Sequence, residues 1–402
     1  MQGTSASEKN YSSHRFPTIQ AVVPVDDTNT QMSDNELLCH IALTRIPDIG
    51  IVTARTLLNF FGSAEKVLSA DYDTLVHHAD MSSKAAETLI SERNRAKDTA
   101  AKELAFISQH RLRTLSILDD EYPESLRAIH DAPILLYGKG NFNFKGHLLS
   151  IVGTRTCTDR GRQLCHDFVV ELSRRVPDLT IISGLAYGID IASHRAALEC
   201  GIPTIGVLAH GLDRIYPAVN RQTAVEMVIN GGLLTEYPSG TEPERMNFVA
   251  RNRIVAGLSS ATIVIESKQR GGSLITAQLA FENGRDVFAF PGRPQDALSA
   301  GCNNLIRRNI AGLITSADDF LEATGWADKG GLQTSLETQL FAELSNEESQ
   351  VMSSLRKYED GVSVNTIVSE TGMTFAEVSA LLFNLELKNM VRSLPGGQYR
   401  AC

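Results

Sequence analysis

The sequence predicts an α/β protein in which a Rossmann-like, mostly parallel sheet with helices on both faces lies between an all-helical N-terminal domain and a small C-terminal domain of helices plus a hairpin. Three observations carry this. At 402 residues the chain exceeds one ordinary core, which points to two or three domains, and we expect three. Its 43% hydrophobic and 21% charged residues match globular chains with enough apolar mass to bury cores. Its apolar period also changes twice: helical spacing holds up to about position 111, short β-branched runs alternate with amphipathic stretches from 112 to 324, and helical spacing returns after 340.

Residues 1–33 are rich in Ser, Thr, Asn and Gln with few periodic apolar positions, and are expected to be disordered. From 34 to 111 the text is helical: ELLCHIALTRI, a PDIG turn, IVTARTLLNFFGSAEKVL, then MSSKAAETLISERNRAKDTAAKELAFISQH. Helix, short turn and helix resemble a helix-hairpin-helix, whose glycine-rich turn brings backbone amides to a DNA phosphate. Asp48 stands where that motif prefers glycine, and its carboxylate repels phosphate. The domain is therefore expected to pack against and orient the middle one.

Between 112 and 324 the expected strands are ILLYG (134–138), LLSIVGT (148–154), LTIISG (179–184), PTIGVLA (203–209), LLTE (233–236), ATIVIE (261–266) and VFAF (287–290). Their alternation with amphipathic stretches marks a parallel sheet covered on both faces, whose ligands sit at the carboxyl ends of strands. A polar, Gly-containing stretch at 325–340 reads as a linker. In 341–402, NEESQVMSSLRKYEDG, SVNTIVSETG and TFAEVSALLFNLELKNM are helical patterns, and VRSLPGGQYRA places two strands around a Pro-Gly-Gly turn. Three helices and a hairpin suggest a winged helix.

No apolar run approaches the roughly 18 residues of a spanning helix, and the start MQGTSASEKNYSSHR lacks the apolar core of a signal peptide. A cytoplasmic address and no membrane partner are expected. Six cysteines (Cys39, Cys157, Cys165, Cys200, Cys302, Cys402) lie far apart without CxxC, so they are expected as reduced thiols, with no metal site and no cofactor. The net charge of −9 does not advertise a nucleic-acid binder. It is unevenly spread, however: segments 1–150, 151–320 and 321–402 carry −4, 0 and −5, and 16 of the 17 positive residues in the middle segment are arginine. Arginine suits planar, bidentate phosphate contacts, so any DNA is expected on the middle domain.

Four clusters fall at predicted strand ends. Ile151-Val152-Gly153-Thr154-Arg155-Thr156 leads into a helix near Gly161, setting free N–H groups beside the bidentate donor Arg155. Ser183-Gly184-Leu185-Ala186-Tyr187-Gly188-Ile189-Asp190 joins a strand to a helix; its glycines permit close approach, and Tyr187 is suited to stacking on a base or sugar. A tight βα turn with Asp190 as the helix cap accounts equally well for two of these glycines. Arg251-Asn252-Arg253 lies in the helical MNFVARNRIVAGL, where a solvated helix face is the plain alternative. Gly271-Gly272-Ser273-Leu274-Ile275-Thr276 follows Lys268-Gln269-Arg270, again a strand end meeting a helix start, with hydroxyls added. Together the clusters predict a phosphate-binding surface at one sheet edge. Neither GxxxxGK[ST] nor GxGxxG occurs, and HExxH and GxSxG are absent.

Read in order, YPESL with DAPILLYGKG, IVGTR, SGLAYGIDIASH, VLAHGLDRIYPAVN, FVARNRIVAGLS, GGSLITAQLA and PGRPQDALSAGCNNLI resemble the successive signatures of the DNA-processing protein A (DprA/Smf) family, over roughly residues 115–315. The resemblance implies a domain that binds single-stranded DNA without sequence preference, forms a homodimer, protects incoming DNA and loads RecA recombinase during natural transformation, with no catalytic turnover. It places DNA-binding positions at Gly153, Thr154 and Arg155, in the Ser183–Asp190 turn, at Arg251 and Arg253, and in the Gly271–Thr276 loop. Tyr187 stands where many relatives carry lysine, which implies stacking in place of one phosphate contact. The helical domain resembles the family's SAM-like module and the winged helix its variable appendage. That winged helix is acidic, with Glu377 and Glu386 against Lys388 alone on TFAEVSALLFNLELKNM, so it is expected to bind protein or pack on its own chain.

An enzyme is the competing possibility, because glycine loops of this kind also resemble those of Rossmann-fold nucleotide phosphoribohydrolases. Those enzymes carry PGGxGTxxE, and in Gly271-Gly272-Ser273-Leu274-Ile275-Thr276-Ala277-Gln278-Leu279 the expected glutamate is leucine. A third possibility is an interaction scaffold whose acidic winged helix docks a partner.

Overall fold

A computed structural model of the chain describes residues 32–327, 345–358, 361–387, 390–394 and 398–401. They fall into two compact units, one through Asp328 and one from Lys329. The expected disordered extension, apart from its last two residues, and the expected linker, apart from its first three, lie outside the described residues.

The first unit opens with α1 (Asp34–Leu43), α2 (Ile51–Phe61), α3 (Ala64–Ser69), a π-helical turn at Thr74–His78 and the long α4 (Ser83–His110). Serines set the starts: Ser33, Ser63 and Ser82 each lie in extended backbone and accept an N–H of the first turn. Such a cap stabilises by about 1 kcal/mol. In the turn before α2, Asp48 adopts the left-handed conformation at φ 61° and pairs with Lys84 at 3.2 Å. Arg55 on α2 donates to the Arg127 carbonyl at 2.9 Å, so this hairpin is tied to the sheet domain, as a packing role requires.

Glu36 joins α1 to α3. Its carboxylate accepts the N–H groups of Ala64 (2.5 Å) and Glu65 (3.0 Å) and lies 3.3 Å from His40 Nδ1. Burial alone raises its pKa, but hydrogen bonds from His40, Glu65 and Ala64 outweigh it and hold the group at about 2, against an ordinary value of 4.5. A depressed folded-state pKa stabilises above the ordinary value and is lost as pH falls towards the folded one. Between pH 4.5 and 2, Glu36→Gln is therefore expected to lose stability less steeply than wild type in urea titrations. Equal slopes would remove Glu36 from the acid response.

The sheet domain runs β1 (Arg113–Ser116), α5 (Glu124–Arg127), β2 (Leu135–Gly140), β3 (His147–Val152), α6 (Asp159–Arg175), β4 (Leu179–Ser183), α7 (Ile189–Glu199), β5 (Thr204–Val207), α8 (Arg221–Ile229), β6 (Gly231–Thr235), α9 (Arg245–Leu258), β7 (Ala261–Val264), α10 (Gly272–Glu282), β8 (Asp286–Ala289), α11 (Ala300–Arg307), β9 (Gly312–Leu313) and α12 (Ala317–Thr324). All seven expected strands are present, and β1 and β9 join them at the two edges. The nine strands lie in the order β1-β2-β6-β5-β4-β3-β7-β8-β9, antiparallel at β1-β2 and β2-β6 and parallel elsewhere. From β3 the chain winds outwards to β6, then returns to add β7 on β3's other side. That reversal opens a crevice at the carboxyl ends of the central strands.

Successive strand residues face opposite sides, and both sides are covered. Leu149, Ile151, Ile181, Ile263 and Phe288 form one core with Phe168 of α6 and Phe320 of α12. There the Phe168–Phe320 and Phe288–Phe320 ring pairs meet edge to face at 5.8 and 5.4 Å. Leu148, Val152, Ile182 and Val264 face the other way, in one core with Ile254 and Val255 of α9 and with the N-terminal helices.

The second unit packs helices Asn346–Leu355, Val364–Thr371 and Phe375–Leu387 against a three-stranded antiparallel sheet, a winged helix around Val351, Leu355, Ile367, Val378, Leu382 and Leu385. Ser345 and Glu348 close a capping box on its first helix. The outer face of Phe375–Leu387 leaves Phe375 59% and Phe383 61% exposed. Among the described residues no helix is long and apolar enough to cross a membrane.

Candidate nucleic-acid interface

The loops after β3, β4 and β7 emerge side by side at the carboxyl edge, and α9 crosses behind them. Thr154 N–H donates to the Glu266 carbonyl at 2.7 Å, joining the first loop to the third. Ile189 N–H donates to the Thr154 carbonyl at 3.3 Å, joining the second loop to the first. Gly188 makes this junction possible: its φ is +79°, and a Cβ there would run into the Thr154 carbonyl and the Arg155 backbone.

Several expected phosphate contacts are corrected by burial. Arg251 is 3% exposed; its guanidinium donates to the carbonyls of Gly184 (2.8 Å) and Val207, and a Cβ on Gly184 would occupy the same space. Arg253 is 6% exposed and pairs with Glu236 at 2.6 Å and Asp131 at 3.2 Å. Both arginines are internal braces. Asp190 is buried too; burial raises its pKa, opposed by the Arg251 charge and by hydrogen bonds from the Ala186 and Gly184 backbone. The N–H groups of Gly184 and Ala186 thus face an internal carboxylate instead of standing free for a ligand. Ser183 Oγ donates to the Ile151 carbonyl at 2.7 Å inside the core.

The same happens at α6. Its first turn receives Glu266, whose carboxylate accepts from Thr158 N–H (2.9 Å) and Thr158 Oγ (2.6 Å), while Thr158 Oγ accepts from Gly161 N–H at 2.9 Å. The chain supplies its own anion to this helix start, which the sequence pattern alone assigns to a ligand. In the fourth cluster Ser273 donates to Ser267 Oγ at 2.9 Å, and Ser273 and Thr276 are buried, so their hydroxyls are not presented outwards. Asn252 Nδ2 reaches the Gly272 carbonyl at 3.4 Å and joins α9 to α10.

What remains exposed is a rim. Arg155, Lys268, Arg270 and Gly272 are exposed, with Gly153, Thr154 and Gly271 partly so. The start of α10 carries no side-chain cap, and exposed Lys268 and Arg270 precede it in the same loop. Arg155 lies over the Phe248 ring with its guanidinium carbon 5.1 Å from the centroid, and Phe248 meets Tyr216 at 5.8 Å. Tyr187 and Tyr216 are 47% and 44% exposed, and Asn220 Nδ2 links the Tyr216 loop to the Leu185 carbonyl at 3.0 Å. Guanidinium and aromatic faces therefore share one surface.

Phe248 and Tyr216 are absent from the sequence-derived set. Phe248 had a signal: it lies one helical turn before Arg251 and Asn252 on the same face of FVARNR. Tyr216 had only its place in the signature VLAHGLDRIYPAVN, because its partner is distant in sequence. Leu279, standing where a phosphoribohydrolase carries its glutamate, packs against the core.

Residues 113–325 match the family model of DNA recombination-mediator protein A, residues 337–397 that of the DprA winged helix domain, and residues 41–95 that of the SAM-like helix-hairpin-helix tandem. The chain is 46% identical over 209 residues to DNA processing protein DprA of Streptococcus pneumoniae, covering 52% of this chain and 73% of that one. It is 32% identical over 404 residues to Protein Smf of a Synechocystis species, covering 92% of this chain and all of the other. The crystal structure of the S. pneumoniae protein superposes with a TM-score of 0.62 at 34% identity, over 73% of this chain and 98% of that one.

Proposed function

The chain belongs to the DNA recombination-mediator protein A family, and from that membership we propose that it holds single-stranded DNA on the exposed rim of the large sheet, without sequence preference, and delivers it to RecA recombinase during natural transformation. One observation carries the rim assignment: exposed Arg155 lies against Phe248, beside Tyr216 and the Tyr187 turn. The cation suits phosphate, and the aromatic faces suit unstacked bases of any identity. A duplex keeps its bases stacked on each other and gains nothing from those faces. We read the assembly as a homodimer, which sedimentation would test.

Fluorescence anisotropy with labelled oligo-dT and its duplex, at two salt concentrations, tests this reading. The expected result is preference for the single strand and an affinity that falls with salt, with a slope of about −0.7 per phosphate contact. Equal affinity for the duplex, or none for either, would refute it. Release of free base from a nucleoside monophosphate would support the phosphoribohydrolase instead. Deleting residues 341–402 is expected to leave oligo-dT affinity unchanged, since that segment carries −3 and its third helix presents phenylalanines and glutamates. A collapse of affinity would make the winged helix a DNA-binding element.

A further inference from the structure

We propose that Glu103 on α4 is a positioning residue for the DNA rim, through which the N-terminal helical domain fixes the segment leading into α9; this rests on the rim reading above. Glu103 is 3% exposed, and its carboxylate faces the loop after β6. It accepts the Ser239 N–H with both oxygens, at 2.9 and 3.1 Å, and the Ser239 hydroxyl at 2.5 Å. Arg45, from the turn after α1, stands 3.7 Å from the same carboxylate. Charge-assisted bonds of this kind are roughly twice as strong as neutral ones, and here they cross 136 residues of sequence.

The loop so held begins at Glu236 and runs into α9 at Arg245. Asp213 accepts Gly240 N–H at 2.9 Å, and Gly211 N–H donates to the Thr241 carbonyl at 3.3 Å, so the sheet domain holds its far side. The helix it feeds has no side-chain cap, and its first full turn closes with Phe248 N–H on the Glu244 carbonyl at 3.3 Å. The place of Phe248 is therefore inherited from the loop. Phe248 in turn carries Arg155. A single carboxylate of the helical domain thereby reaches the rim without touching it, and the otherwise unused helical domain acquires a part in DNA binding.

Glu103→Gln keeps the shape but offers one acceptor oxygen and sets an NH2 group against the Ser239 donors. In the full chain, hydrogen exchange of amides 237–248 is expected to quicken, and oligo-dT affinity to fall about fivefold, which corresponds to about 1 kcal/mol. The salt slope is expected to stay as in wild type, because no phosphate contact is removed. Ser239→Ala, removing the hydroxyl from the other side, is expected to show a weaker version of the same pattern and serves if Glu103→Gln does not fold. Glu36→Gln, which weakens the same helical domain away from the loop, is expected to leave affinity unchanged. Unchanged exchange in 237–248 would overturn the clamp, whether or not DNA binds. Faster exchange with unchanged affinity, or an equal loss in Glu36→Gln, would overturn its role in binding. Failure of wild type to bind oligo-dT would instead sink the rim reading, leaving the exchange result to judge the clamp.

Discussion

Arg251→Ala is expected to lower the stability of the first unit by about 3–5 kcal/mol, the combined cost of opening a cavity and of leaving two buried carbonyls unsatisfied at about 1–3 kcal/mol each. Arg251 and Asp190 are both buried, and each is the leading electrostatic counterweight to the other's desolvation. Burial lowers the guanidinium to about 10, the Asp190 charge opposing. Its Nε also has no hydrogen-bond partner. Truncation would remove the positive charge that opposes Asp190's desolvation, free the carbonyls of Gly184 and Val207, and open a cavity behind the β4–α7 turn. The double variant Arg251→Met with Asp190→Asn is expected to recover much of the loss, since it removes both charges and keeps the volume. Urea denaturation of the three proteins decides this. A loss below about 1 kcal/mol for Arg251→Ala would place it among ordinary surface changes.

Arg155→Ala is expected to weaken oligo-dT binding at least tenfold while leaving stability nearly unchanged, the reverse of the Arg251 pattern. Arg155 is exposed, and a charged hydrogen bond to phosphate contributes about 1.5–3 kcal/mol. Its loss should also flatten the dependence of log K on log salt by about 0.7. Phe248→Ala offers the complement: it removes a stacking face worth about 1–3 kcal/mol and no charge, so affinity should fall with the slope intact. Anisotropy titrations at several salt concentrations separate the two. Normal binding by Arg155→Ala would remove the loop after β3 from the interface.

These two arginines also show where sequence stopped being informative. Arg155 stands beside a glycine turn and Arg251 in a helical run, and both read as phosphate donors. Only three-dimensional packing separates the exposed cation from the internal brace. The strands were legible because a parallel sheet buried on both faces leaves unbroken β-branched runs such as ATIVI. β1, reading RTLS, and the two-residue β9 carry no such run. The carboxylates that occupy apparent anion positions were hidden for a different reason. Glu266 lies 108 residues from Thr158, and local spacing holds no trace of that contact. Asp190 was visible as a candidate, but the sign of its part changed, from capping a helix to holding a turn closed.

That Glu266 and Asp190 fill the recessed positions has a topological consequence. With those recesses taken by its own carboxylates, the rim reading puts a polyanion on the outer ledge marked by Arg155, Tyr187, Tyr216 and Arg270. A polymer threaded through a closed tunnel must enter and leave by an end. One lying along an open ledge can be laid down or peeled away at any point of its length, including from the middle of a circle.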